Sequence, residues 1–307
     1  MWKVLSGVFL GWSLGANNFA NIFGTGVATG TIKYRTAVLL TAVFVLLGSI
    51  IEGPKCMETV GELSRVLPLE AFYCALAAAI TMTLFTYLAI PSSTSQTIIG
   101  AIIGAGILSG SADYTKLYRI VTCWVFTPIA GIFFGYVLYR ILEYILERTI
   151  RNMAHRNLVY FIGILIAGCY GAYTLGTNNV ATVTGVHVAS GMLTPEMGAL
   201  VGGLAIAAGV LTYGKKVMMT IGKGIVPLDP FSAFVAVLAE ALTLHIFTQI
   251  GVPVSSSQAI VGAVVGVGIV GDIRTVSPRV LLKISASWAL GPVSAGVMAY
   301  VLIRWCS

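Results

Sequence analysis

Apolar residues run along this chain in long blocks, not in alternation. From Trp2 to Trp305, stretches of about 20 apolar residues recur between short polar connections, each long enough to cross the roughly 30 Å hydrocarbon core of a bilayer as a helix. About ten segments fit that length, some of them re-entrant. The period-2 pattern of a membrane barrel is absent, and the runs Ala75–Ile80 and Val235–Leu244 are apolar on every face. The pattern predicts an all-α integral membrane protein, multi-pass in the cell membrane, with the lipid bilayer as its surroundings. Lys3 is followed by apolar residues with no small-residue cleavage site before Asn17-Asn18, so the first helix is expected to stay.

Composition agrees and narrows the function. Hydrophobic residues make up 57% of the chain and charged residues 9%, with a mean hydropathy of +0.93, whereas soluble domains carry about 25% charged residues. The net charge of +7 does not point to nucleic acid, because the 18 Lys and Arg are scattered along short loops. Their densest cluster, Arg140, Arg148, Arg151 and Arg156, places a mid-chain linker in the cytoplasm. Five cysteines lie far apart with no CxxC pair and read as small apolar fillers. The three His and three Asp form no acid–base or metal-spaced cluster, so neither an enzyme, a metal site nor a cofactor is expected.

The chain repeats itself. Leu14-Gly15-Ala16-Asn17-Asn18-Phe19-Ala20 returns as Leu175-Gly176-Thr177-Asn178-Asn179-Val180-Ala181, an offset of 161 that also pairs Gly48, Gly53, Lys55, Thr59 and Gly61 with Gly209, Gly214, Lys216, Thr220 and Gly222. After one insertion Phe85, Thr86, Pro91, Ser93, Ser95 and Gln96 match Phe247, Thr248, Pro253, Ser255, Ser257 and Gln258 at 162, and Trp124 and Pro128 match Trp288 and Pro292 at 164. Chance similarity of Gly-rich helices would not pair Asn, Ser and Gln. The chain reads as two repeats of five to six membrane segments, residues 1–145 and 157–307, joined by a basic linker at 146–156. Duplicated membrane units of this kind are typical of secondary transporters, whose substrate site lies near the midplane between the repeats.

Two motifs carry the chemistry. Pro91-Ser92-Ser93-Thr94-Ser95-Gln96 and Pro253-Val254-Ser255-Ser256-Ser257-Gln258 each precede an apolar run and read as helix starts inside the membrane. Unpaired N–H groups and the positive end of the dipole make such starts attractive to an anion, and the hydroxyls add donors. Two symmetric breaks imply one shared cavity, and Gly100-xxx-Gly104 and Gly262-xxx-Gly266 allow close packing that brings them together. Asn17-Asn18 and Asn178-Asn179 interrupt apolar helices and need partners; an amide oxygen can coordinate a hard cation such as Na+, and its NH2 can donate to an anion. Lys55 and Lys216 read as snorkelling residues, His187 and His245 as satisfied buried histidines. Glu52 and Glu240 are the carboxylates set deepest in apolar sequence, and nothing in the sequence selects either.

At these motifs the chain resembles the inorganic phosphate transporter (PiT) family of cation-coupled permeases over nearly its whole length. That family carries a repeated Gly-Ala-Asn-Asp-type motif and a repeated Pro-x-Ser-Thr-Thr-His-type motif. They match Gly15–Asn18, Gly176–Asn179, Pro91–Gln96 and Pro253–Gln258. The resemblance implies an inverted-repeat helical fold with broken helices at the site. It implies an anion site from Asn18, Ser93, Thr94, Ser95, Gln96, Asn179, Ser255, Ser256, Ser257 and Gln258, and a coupling-cation site from Asn17, Asn18, Asn21, Asn178 and Asn179. It also implies symport with Na+ or H+, alternating access, and compatibility with a homodimer. Two departures matter: Asn18 and Asn179 stand where the motif has an acid, and Gln96 and Gln258 where it has His. Phosphate at neutral pH carries a proton and benefits from an acceptor such as Asp, whereas sulfate asks only for donors. The expectation is therefore import of a tetrahedral oxyanion, sulfate slightly ahead of phosphate, by cation symport. An anion-selective channel is the rival reading.

Overall fold

The computed structural model describes residues 2–64, 66–90, 92–213, 228–271 and 278–306. Pro91, Gly214, Lys216, Thr220 and Gly222 lie outside the described residues. Among those described, the regular structure is helical: α1 (Leu5–Ala28), α2 (Tyr34–Glu52), the short α3 (Met57–Gly61), α4 (Pro68–Tyr87), α5 (Thr94–Ser109) and α6 (Tyr114–Thr149) form the first half. The second half holds α7 (Met153–Ala189), α8 (Pro195–Tyr213), α9 (Pro230–Gln249), α10 (Ser256–Gly271) and α11 (Pro278–Cys306). Helix starts are capped where the sequence offers an acceptor: the Asp113, Asn152 and Asp229 carboxyl or amide oxygens accept from Lys116, Ala154 and Ser232 N–H at 3.0, 2.8 and 2.7 Å.

Seven helical spans among the described residues are long and apolar enough to cross a membrane. The shorter α5 and α10, at 16 residues each, are the expected broken segments. Helix α1 does not meet the hydropathy criterion despite its 24 residues, because Asn, Ser, Thr and Gly interrupt it. Its residues from Leu14 to Gly26 are nonetheless all buried, so it crosses inside protein instead of against lipid. The lipid side is taken by α6 and α11, which expose Phe126, Ile129, Phe133, Leu290, Val293 and Val297. The stretch expected as a linker is mostly helical: only 150–152 separates α6 from α7.

The halves interleave. α1 packs on α8 and α2 on α7, while α5 lies against α11 and α10 against α6, so each half's last helix covers the other half's short one. Every one of these contacts has its counterpart at the repeat offset, the reciprocity expected of a two-fold relation. Glycines permit it. A Cβ on Gly15 would land on the Ile206 carbonyl and one on Gly176 on the Val45 carbonyl; Gly48 and Gly209 stand likewise against the Tyr173 and Trp12 carbonyls. Gly100 and Gly262 meet the carbonyls of Pro292 and Pro128, the prolines inside α11 and α6.

Candidate functional site

The site forms where α4 and α9 stop short and the chain turns into α5 and α10. Both stops have one geometry. Ala89 and Gly251, equivalent in the repeat, adopt left-handed φ of 55° and 72°. Ile90 N–H donates to the Phe85 carbonyl at 2.9 Å and Val252 N–H to the Phe247 carbonyl at 3.0 Å, a Schellman closure in each case. After the turn, Ser93 and Ser255 cap the new helices, accepting from Gln96 and Gln258 N–H at 3.3 and 3.2 Å.

Each tip is clamped by an asparagine. The Asn17 amide donates to Thr86 Oγ1 and the Ile90 carbonyl at 3.0 and 3.2 Å and accepts from Ser92 N–H at 3.1 Å. Asn178 repeats this with Thr248 Oγ1, the Val252 carbonyl and Val254 N–H at 3.0, 3.2 and 2.9 Å. Both are fully buried. Their amides hold irregular backbone that cannot be left unpaired away from water. Thr86 and Thr248 are the residues that sequence reasoning missed, although both matched in the repeat.

The tips then tie to each other. Ser95 Oγ donates to the Val254 carbonyl at 2.8 Å, and Ser257 Oγ donates to the Ser92 carbonyl. The N-termini of α5 and α10 therefore meet, and Ser93, Thr94, Ser95, Gln96, Ser255, Ser256, Ser257 and Gln258 are all brought together and buried. From α1, Asn18 and Asn21 both donate to Ser256 Oγ at 3.0 Å. From α7, Asn179 Oδ1 lies 3.5 Å from Ser95 Oγ, whose one proton already goes to Val254.

Around this junction several buried polar atoms have no hydrogen-bond partner among the described residues: Asn18 Oδ1, Asn21 Oδ1, Thr25 Oγ1, Thr94 Oγ1, Gln96 Oε1, Gln258 Oε1 and Asn179 Nδ2. Buried polar groups are rarely left so, and a cluster of them makes this junction the candidate place for a polar guest. Turning an amide about its last bond exchanges O and N, so each such position offers either a donor or an acceptor. Every residue named in the cluster is neutral.

Glu52 anchors a second polar network, which reaches the last residue of α9 through Gln249. Its carboxylate accepts from Lys55 Nζ, Tyr173 OH and Gln249 Nε2 at 3.0, 2.8 and 2.8 Å, with His245 Nε2 at 3.7 Å, which joins α2, α7 and α9. His245 in turn meets Tyr170 OH at 2.6 Å. In the other half Trp12, the repeat counterpart of Tyr173, donates from Nε1 to Thr212 Oγ1 at 2.8 Å.

Comparison with known proteins bears on this geometry. The chain is 31% identical over 302 residues to a Methanocaldococcus jannaschii protein provisionally named a phosphate permease, covering 98% of this chain and 96% of that one. It is 29% identical to the sulfate permease CysP of Bacillus subtilis, over 98% of this chain and 86% of the other. The fold matches a solved structure described as the sodium-dependent phosphate transporter, with a TM-score of 0.83, 23% identity, and coverage of 99% of this chain and 98% of that one. The model of the phosphate transporter family matches twice, at residues 14–167 and 147–299, once on each half that contributes a tip. Its two matches span nearly all of the helices described above, and the chain belongs to the phosphate transporter family, whose members are membrane permeases and not enzymes.

Proposed function

We propose that this anion permease is a secondary-active importer of a tetrahedral oxyanion, sulfate ahead of phosphate, working by alternating access in symport with Na+ or H+. The observation that carries the reading is the meeting of two helix N-termini at a buried junction whose named polar groups are all neutral. Main-chain N–H groups and hydroxyls supply donors to a dianion, and the two aligned dipoles supply the positive potential that no side chain provides. A carboxylate in this place would accept the proton of hydrogen phosphate. Asn18 and Asn179 accept one less strongly, so a fully deprotonated guest fits better. The likeness to a sulfate permease supports this choice, and the likeness to phosphate permeases supports the shape of the guest.

Asn17, Asn18, Asn21, Asn178 and Asn179 are the candidates to face a coupling cation, and the amides of Asn18, Asn21 and Asn179 keep atoms without partners among the described residues. A Na+ site of amide oxygens alone is weak, because carboxylates supply most of the affinity in oxygen-ligand sites. The pseudo-two-fold arrangement supports alternating access, in which inverted repeats rock about one site.

Purified protein in proteoliposomes tests the reading. Saturable counterflow of radiolabelled sulfate, competed more strongly by unlabelled sulfate than by phosphate, is the expected result. Stronger competition by phosphate overturns the sulfate preference, and unitary current steps without counterflow overturn the carrier in favour of a channel.

A further inference from the structure

Glu240 takes no part in the anion site, yet it is fully buried in the middle of α9, and both of its carboxyl oxygens lack a hydrogen-bond partner among the described residues. Glu52, the other carboxylate set in apolar sequence, is the opposite case, with three donors around it. An ionised carboxylate held without partners away from water is among the most expensive groups a protein can carry, whereas the neutral acid is tolerated. Acids in such positions inside membrane proteins mark ion and proton pathways.

Among the described residues, none is recorded as a charge partner of Glu240. α9 packs on α1, α6, α7, α10 and the turn at Gly53–Cys56. Helices α1 and α10 contain no ionisable side chain. On α7, Tyr170 is engaged by His245, Tyr173 by Glu52 and His187 by Ser6, and Tyr160 packs on Phe231 at the start of α9; Cys169 is half-buried. On α6, Tyr139 also packs on Phe231, and Glu143 faces Arg140. In the turn, Lys55 is bound to Glu52 and Gln249, and Cys56 is buried. On α9 itself, Asp229 caps the first turn.

Position links the acid to the site. Eight residues, or about 12 Å of helix, separate Glu240 from Thr248, which receives the Asn178 clamp. The helix that carries the acid thus ends in one of the two tips. Its equivalent in the first half is Ala78, so the acid breaks the symmetry of the repeats while the anion pocket keeps it.

We propose that Glu240 carries the coupling proton of transport: its carboxylate takes up one proton from water on the loading side, crosses as the neutral acid, and returns that proton to water on the release side. This rests on the carrier reading above and names its coupling ion. Movement of the substrate alone does not need the acid; accumulation against a gradient does.

The test uses full-length protein in proteoliposomes, with radiolabelled sulfate followed in two modes. In Glu240→Gln, accumulation driven by an acid exterior falls about tenfold while counterflow stays within about twofold of the unmodified protein. In Glu240→Asp, accumulation survives with its pH profile displaced. The proposal is overturned if Glu240→Gln accumulates sulfate as the unmodified protein does, if Glu240→Asp keeps an unchanged profile, or if a Na+ gradient alone drives accumulation. Absence of counterflow in the unmodified protein removes the carrier reading itself, a failure visible before any variant is made.

Discussion

The two repeats build the same tip and then line it differently. In each, a left-handed residue ends one helix, an asparagine holds the loose backbone, and a serine caps the next helix. Beside the second tip, α1 presents Asn18, Asn21 and Thr25 as one stripe at helical spacing, and two of these hold Ser256. Beside the first tip, the same stripe of α7 reads Asn179, Thr182 and Val186, and Thr182 turns back to bond the Asn179 carbonyl at 2.7 Å. Thr94, the equivalent of Ser256, is left without a partner among the described residues. What is shared holds the junction in place, and what differs gives it two unlike sides.

The shared part should break equally from either side. A leucine at Gly48 or at Gly209 drives a side chain into a carbonyl of the opposite half and is expected to cost about 3 kcal/mol in each case, read as loss of thermal stability in detergent. Tolerance at one of the two would show that the packing is less reciprocal than the fold implies. Asn17→Ala and Asn178→Ala come next, each leaving a buried backbone N–H unpaired and each costing about 2 kcal/mol by the same measurement.

The two sides should respond unequally. Asn179 keeps an NH2 without a partner while that of Asn18 is already given to Ser256. Asn179→Ala is therefore expected to weaken sulfate binding about tenfold and Asn18→Ala about threefold, by isothermal titration. Equal losses would place the anion on the axis between the two sides. The smallest effect is at the turns: Ala89→Gly relieves a left-handed alanine and should stabilise by about 1 kcal/mol, while Gly251→Ala should destabilise by a similar amount.

The helical membrane fold, the duplication and the meeting of the two Ser-rich motifs were all legible in the sequence, because each leaves a periodic or repeated trace. The division of labour within Asn17-Asn18 and Asn178-Asn179 was not. Adjacent residues on a helix point about 100° apart, and only packing shows that the first of each pair faces the loose backbone and the second the hydroxyls where the helix starts meet. The contrast between Glu52 and Glu240 was hidden for a similar reason: both sit in apolar sequence, but the donors around Glu52 come from residues far away in the chain, Tyr173 and Gln249 among them. Thr86 and Thr248 gave the one missed signal that was available, since two hydroxyls paired by the repeat in apolar helices call for an explanation.

The crossing of the halves, with α11 over α5 and α6 over α10, has a consequence for biogenesis. A ribosome that has delivered residues up to α6 has made a complete repeat in sequence but not in space, because the helix that covers α5 emerges only after α10. Until then Gly100 and Gly104, which in the finished protein press against backbone of α11, lack that packing partner. The first half must wait in the membrane with an open seam until α11 closes it. Two halves expressed as separate chains should therefore need each other, yielding a stable protein together and degradation products when apart.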